Sequence, residues 1–287
     1  MQKGKSAATF SITGTRIDSE EQLASHVNEF GWNSFLYYPE TLRPKLPSLT
    51  RVKGASISKC SFKRTRISNI IFTNCSFSEC LFLGTDFDNC EFINCTFIAC
   101  NMYKAKLIEC LIDPAQFSKN FDLETDSNIA IGWFHAMYRN SVATSQPTYA
   151  RESLYLMRVA ERSQILHEIR NSKNPITNGA KYLVSLAHAF VSGYGQKTWR
   201  ILGTFTTLAI GAAAINYAFR EEMFNDSQIS LLDSIYFTCI TISTVGFGDV
   251  TPKTEIGKII VSCQALLGPL FFTMALTEVA GRIMRRD

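Results

Sequence analysis

Residues 66–100 read RISNIIFTNCSFSECLFLGTDFDNCEFINCTFIAC, and the phenylalanines and cysteines in this stretch return at intervals of five or multiples of five. Working outward in both directions, every fifth position from Val52 is large and apolar: Val52, Ile57, Phe62, Ile67, Phe72, Phe77, Phe82, Phe87, Phe92, Phe97, Met102, Leu107, Ile112 and Phe117. A second series runs two residues before each of these from Ile57 onward, from Ala55 and Cys60 to Cys110 and Ala115, and is small everywhere except Ile70. A helix repeats at 3.6 and a strand at 2, so a strict five excludes both. What remains is a stack of coils in which each repeat buries its residues against its neighbours.

This pattern resembles the pentapeptide-repeat family. The resemblance implies a right-handed quadrilateral β-helix over 52–117, with four pentapeptides per coil and both series pointing inward. At four centres per coil, fourteen centres make about three and a half coils. Seven of the nine cysteines (Cys60, Cys75, Cys80, Cys90, Cys95, Cys100 and Cys110) fall in the small series. They read as interior fillers, because a free cysteine packs as a small hydrophobe. Zinc ligation would set cysteines two to four residues apart, and no CxxC occurs in the chain. Imitation of DNA, an activity ascribed to some members of the family, would need an acidic surface. Residues 52–117 instead carry six acids against seven Lys and Arg. The solenoid is left as a spacer, a subunit contact or a sensor, with an unknown cytoplasmic ligand or protein as its partner. Residues 1–51 are expected to be a cap or subunit-contact segment.

The chain has 287 residues, 46% hydrophobic and 19% charged, with 21 Phe. That excludes a disordered chain. A net charge of +4 is too small for a general nucleic-acid binder. The four histidines are scattered without a metal or triad pattern, and no nucleophile constellation or phosphate loop is present, so no enzyme and no cofactor are expected. The N-terminal sequence MQKGKSAATFSITGTRIDSE lacks the apolar core of a signal peptide, which places this end in the cytoplasm.

Residues 118–198 lose the period of five and read as a helical connector. From Tyr149 to Arg170, a stripe of Leu156, Val159, Leu166 and Ile169, widened by Met157 and Ala160, faces away from the charges. Asn174-Pro175 and Asn178-Gly179 are expected to break the chain. The segment 180–200 is apolar over too short a distance to cross a bilayer, ends in Lys197 and Arg200, and reads as an interfacial helix.

Two stretches without a charge follow, Ile201–Phe219 and Ile259–Thr277, each close to the ~20 residues a spanning helix needs. The second is expected to continue to residue 280. Lys181, Lys197 and Arg200 before the first span, and Arg282, Arg285 and Arg286 after the second, place both termini on the cytoplasmic side of the membrane. The intervening loop carries more acid than base, which would attract cations. Within it, residues 230–242 are apolar over a length that fits a half-membrane helix. Ser243-Thr-Val-Gly-Phe-Gly-Asp249 comes next.

Residues 199–286 resemble the two-transmembrane bacterial potassium channels, whose signature TVGFGD stands complete at Thr244–Asp249. The resemblance implies a pore domain over 199–287, with a re-entrant pore helix at 230–242 and a selectivity filter at 244–249. It implies K+ as the permeant ion, bound at Thr244, Val245, Gly246 and Phe247, with Gly248 and Asp249 completing the motif. Tyr236, Phe237 and Ser243 would brace the filter, and Val245 and Phe247 would turn back into surrounding packing. Gly268 and Pro269 match the gating hinge, with an inner gate near Thr277 and Gly281. Glu278 beside that gate is expected either to snorkel or to pair with Arg282. Ile240 stands where many members have an acid, so Asp249 lacks a carboxylate partner.

The chemistry supports these residue types. A dehydrated potassium ion needs a column of backbone carbonyls, and one chain supplies a single strand of it, so a homotetramer in a lipid bilayer is expected. No arginine ladder marks a voltage sensor. About ten residues follow the second span, so control is expected through the N-terminal side rather than a C-terminal gating ring. Gly193-Tyr194-Gly195 lacks the flanking Thr-Val and Asp and reads as a turn. A non-selective cation channel and a membrane-anchored interaction scaffold are the alternatives.

Overall fold

Five residues per side and four sides per coil require residues one coil apart to pair at intervals of twenty. In the computed structural model, which describes residues 11–171, 175–194, 198–224 and 228–284, they do. On one side Arg51–Lys53, Ile71–Thr73, Glu91–Ile93 and Leu111–Ile112 pair in parallel, with Phe72 opposite Phe92. A second side stacks Ser56–Ser58, Ser76–Ser78 and Thr96–Ile98. A third stacks Arg66–Ser68, Asp86–Asp88 and Lys106–Ile108 on Thr41–Leu42. The fourth is held by single bridges, Leu36 to Ser61 to Leu81 to Asn101. This is the quadrilateral β-helix.

The interior follows from the two series. Rings twenty residues apart stack, Phe77 on Phe97 at 4.6 Å and Phe72 on Phe92 at 5.2 Å, and rings five apart meet edge to face, as Phe72 does with Phe77. The seven solenoid cysteines are buried and free. Most donate a weak S–H bond to a carbonyl of the preceding coil; Cys80 reaches Ile57 O at 3.4 Å and Cys90 reaches Ile67 O at 3.4 Å. Thr85 makes the same contact with Phe62 O at 2.6 Å. Burial pushes the Cys60 and Cys100 thiols up.

A third series emerges only from the backbone. The residue before each small position from Ala55 to Cys110 has positive φ, from Gly54 and Lys59 through Asn69, Asn74, Gly84, Asn89 and Asn94 to Lys104 and Glu109. Gly and Asn fill half of these corners because they tolerate the left-handed region best. At Gly84, φ is +65° and an added Cβ would meet nothing closer than Arg64 Cγ at 3.6 Å. Gly84→Ala is therefore a test of backbone strain alone. We expect a loss of about 1 kcal/mol in urea unfolding of the solubilised protein.

Residues 15–50 close the N-terminal end. Helix α1 (Glu20–Phe30), capped by Ser19, and the short α2 (Pro47–Thr50) flank a partial coil in which Trp32, Tyr37 and Leu42 are buried. Phe35 meets Phe62 edge to face at 5.4 Å. This coil pairs at an interval of twenty-five, Leu42 opposite Ile67, because α2 adds one five-residue step.

At the other end a 3₁₀ turn at Pro114–Phe117 lays Phe117 on Phe97 at 4.1 Å. Two buried asparagines then substitute for the missing next coil. Asn120 accepts from Cys100 N at 2.8 Å and donates to Cys100 O at 3.0 Å; Asn140 does the same with Cys110 at 3.0 and 2.8 Å. Asn140 lies on α3 (Ser127–Ala143), whose Trp133 covers Phe117 at 5.2 Å. Helix α4 (Pro147–Asn171) packs on α3. Its buried face is Ala150, Ser153, Met157 and Ala160; of the expected stripe Met157 and Ala160 are thus buried, while Leu156, Val159, Leu166 and Ile169 are only half-buried. Small side chains win that face because they let the two helix backbones approach.

Helix α5 (Pro175–Ser192) begins at Pro175, a position where proline suits a helix start, and runs through Asn178-Gly179 without a break. Gly193 and Tyr194 follow with φ of +54° and +60°, forming the expected turn; Gly195 and Lys197 lie outside the described residues.

The chain divides into two units, 1–185 and 186–287. In the second, α6 (Thr198–Ala218) and α9 (Glu255–Met284) contain apolar runs of 20 and 23 residues, Trp199–Ala218 and Glu255–Thr277, long enough to span a bilayer. Between them lie α7 (Arg220–Phe224) and α8 (Leu231–Ile242). Helices α6, α8 and α9 pack on one another.

Candidate pore and selectivity filter

Ser230 ends the loop before α8 and begins the helix. Its hydroxyl accepts from Asp233 N at 3.1 Å, while the Asp233 carboxylate accepts from Ser230 N at 2.9 Å, a reciprocal capping box. With its start fixed, α8 is twelve residues long, about 18 Å. That is too short to cross a bilayer. The Phe237 ring meets Phe224 edge to face at 5.1 Å, seating α8 against α7. Met223 O accepts from Lys253 N at 3.0 Å, and Thr254 Oγ1 donates to Glu222 O. An added Cβ on Gly257 would lie 2.4 Å from Met223 O, so α9 starts hard against α7.

At the end of α8 the backbone leaves the helical region in a regular way. Thr244, Gly246 and Gly248 have φ of +61°, +52° and +79°, and Val245 and Phe247 between them do not share this sign. The glycines occupy this region without penalty. Thr244 does not: a β-branched residue with positive φ is strained, and such strain persists only where the surroundings impose it. The glycines of the motif mark two of these three positions in the sequence; nothing in the sequence marks Thr244.

The surroundings that impose it are hydrogen bonds back to α8. Val245 N and Gly246 N both donate to Ile240 O, at 3.0 and 3.2 Å, and Thr244 N donates to Thr241 O at 3.2 Å. Ser243 Oγ donates to Cys239 O at 2.7 Å, and Thr244 Oγ1 to Ser243 O at 2.6 Å. The N–H groups at the start of the segment are thus tied to the pore helix. At its outer end, Asp249 accepts from Tyr236 Oη at 2.8 Å through one carboxylate oxygen and from Val250 N at 3.0 Å through the other. Asp249 does have a partner on the pore helix, a phenol four residues before Ile240. Tyr236→Phe removes this strap and leaves the ring; we expect the outer end to loosen, seen as about fivefold faster amide hydrogen exchange over residues 248–250.

Ser243–Asp249 are exposed in the single chain, Val245 at 53% and Phe247 at 70%. One chain therefore does not provide the packing expected behind Val245 and Phe247.

Gly268 acquires a packing reason. An added Cβ there would fall 2.8 Å from Ile242 Cγ1 and 3.2 Å from Ile242 Cα. Helix α9 crosses the end of α8 at this point and continues through Pro269 to Met284. Pro269 O accepts from Thr273 Oγ1 at 2.7 Å, and Thr277 Oγ1 donates to Thr273 O at 2.7 Å. The expected Glu278–Arg282 pair, and side chains around Gly281, lie outside the described residues.

Two polar residues inside the spans escaped the sequence reading. Asn216 on α6 is fully buried and bonds both Thr238 of α8 and Gln264 of α9. An amide in each apolar run is the signal that marks them.

Comparison with known proteins bears on both units. Residues 201–285 match the ion channel family, and residues 70–125 match the pentapeptide repeat region family. A hyperpolarization-activated voltage-gated potassium channel of Methanocaldococcus jannaschii is 37% identical over 67 residues, 23% of this chain and 30% of that protein. The potassium voltage-gated channel subfamily KQT member 1 of Felis catus is 30% identical over 115 residues, 33% of this chain and 20% of the relative. Two-pore potassium channel 4 of Arabidopsis thaliana is 32% identical over 69 residues, 24% of each. The chain thus spans less than a third of the length of these relatives. Residues 201–285 are an ion-channel pore domain, joined in one chain to an N-terminal pentapeptide-repeat domain.

Proposed function

We propose that the protein is a potassium-selective channel that conducts K+ passively through a pore formed by four copies of the chain. The observation that carries this reading is the recurrence of positive φ at Thr244, Gly246 and Gly248 within TVGFGD. Alternation of this kind turns successive carbonyls of a non-helical strand toward one axis, where they replace the hydration shell of the ion. Thr244, Val245, Gly246 and Phe247 supply the K+ sites, and Gly248 and Asp249 close the outer end. The chain has one such strand, and a ring of carbonyls needs four, which supports a homotetramer. The exposed Val245 and Phe247 then pack against neighbouring subunits.

In this reading the protein lies in a bacterial plasma membrane with both termini in the cytoplasm. The segments are 1–51 as cap, 52–117 as solenoid, 118–198 as connector and 199–287 as pore. The solenoid assembles or gates the pore, Gly268 and Pro269 serve as a hinge, and the gate lies near Thr277 and Gly281. Barium-sensitive K+ uptake into liposomes containing the purified protein tests conduction. Uptake above that of empty vesicles is expected. A protein that forms stable tetramers with no uptake under any condition would favour a membrane-anchored scaffold.

A further inference from the structure

Among the described residues, the best-defined polar cluster that the filter mechanism leaves unused is Asn216, Thr238 and Gln264. Asn216 and Gln264 form a reciprocal amide pair: Asn216 Nδ2 donates to Gln264 Oε1 at 3.2 Å, and Gln264 Nε2 donates to Asn216 Oδ1 at 3.0 Å. The second hydrogen of Asn216 Nδ2 goes to Thr238 Oγ1 at 2.9 Å, and Thr238 Oγ1 passes its own proton to Ser234 O at 2.8 Å. Asn216 is fully buried and Thr238 nearly so. At membrane depth no water can replace these bonds, so the three helices are tied at one point.

What this point controls follows from the filter contacts. Thr238 lies on α8 two residues before Ile240, whose carbonyl holds Val245 N and Gly246 N. Tyr236, on roughly the opposite face of α8, holds the outer end of the filter through Asp249. Any shift of α8 therefore displaces both ends of the filter. Gln264 lies one turn before Gly268, where α9 rests on Ile242. We propose that Asn216 is a positioning residue for the filter: by bonding Thr238 and Gln264 at once, it locks the pore helix to the inner helix and so holds Thr244–Gly248 in their conducting backbone geometry. This rests on the reading of Thr244–Asp249 as a selectivity filter.

The test is amide hydrogen exchange in the purified full-length protein, read by mass spectrometry over 243–250, for Thr238→Val and Gln264→Leu, with Thr238→Ser as the conservative rescue. Valine keeps the shape of threonine and removes the hydroxyl; serine keeps the hydroxyl. Exchange over 243–250 should rise about fivefold in Thr238→Val and Gln264→Leu, and return to the wild-type rate in Thr238→Ser. The Lys253 amide, held by Met223 O, is the internal control and should be unchanged. Unaltered exchange over 243–250, or an equal rise at Lys253, would reduce the cluster to general packing and overturn the proposal. This readout needs no ion flux, so a silent pore would count against the channel reading and leave the exchange result to decide the role of Asn216. In a conducting protein, Thr238→Val should also lower the K+ to Na+ permeability ratio, and Thr238→Ser should not.

Discussion

Gly246→Ala is expected to abolish potassium conduction while leaving the protein folded. Gly246 has φ of +52°, and an added Cβ would meet nothing within 4 Å in the single chain, so the penalty within each chain is conformational rather than a clash. An L-residue in this region costs about 1–2 kcal/mol, and four copies around one pore raise the sum to about 4–8 kcal/mol. Relaxing that strain means turning the peptide plane, which takes a carbonyl off the axis in every subunit. The bonds from Val245 N and Gly246 N to Ile240 O would be lost with it. The expected result is K+ uptake at the level of empty liposomes, with an unchanged tetramer on size exclusion. Uptake near the wild-type rate would mean that the alternating backbone is not what conducts.

The second large effect is expected at the far end of the solenoid. Asn140→Leu removes both bonds to the Cys110 backbone, leaving a buried N–H and a buried C=O, the latter reached otherwise only by Gln146 Nε2 at 3.3 Å. Each unpaired buried group costs about 1–3 kcal/mol, so a total near 2–4 kcal/mol is expected. A second consequence follows from the strand edge. Asn120 and Asn140 occupy the backbone of the last coil as another coil would, and an open parallel edge is a template for association between chains. Urea unfolding followed by Trp133 fluorescence should show the midpoint fall, and light scattering should show aggregation that wild type does not. An unchanged midpoint would mean that the asparagines are incidental to the cap.

The solenoid was legible in the sequence because its period is set by geometry. Each side takes five residues, so each inward series prints directly onto the chain, and even the coil interval of twenty follows from the family pattern. Its ends were less legible for a physical reason. Trp32, Tyr37 and Leu42 continue the series of five, yet α2 inserts one extra step before Val52, shifting the pairing from twenty to twenty-five residues. At the C-terminal end the next coil is replaced by side chains, and Asn120 and Asn140 carry no periodic mark. The corner positions were hidden because they demand a backbone angle, and Lys59, Glu79 and Ala99 adopt it beside the Gly and Asn that favour it.

The pore shows the same division. The spans, the half-helix and TVGFGD could be located by length and motif, because a bilayer sets the first two and ion coordination the third. The packing face of α4 was legible only in part: Met157 and Ala160 of the expected stripe are buried, but hydrophobicity also pointed to Leu156 and Val159, while the face is completed by Ala150 and Ser153. Nor did the pattern reveal what holds Asp249. The absence of an acid at Ile240 suggested an unpartnered carboxylate, and Tyr236 reaches it from one helical turn earlier. Gly268 carries two readings that sequence cannot separate, a hinge and a close contact; the distance to Ile242 establishes the contact, and hinge motion is a separate property of the same residue.

Selectivity is tested most directly by the reversal potential of the purified protein in a planar bilayer, with K+ on one side and Na+ on the other. A filter built from the carbonyls of Thr244, Val245, Gly246 and Phe247 predicts a reversal potential displaced strongly toward the potassium equilibrium value. A reversal potential near zero, with current carried equally by Na+, would contradict it and identify a non-selective cation pore.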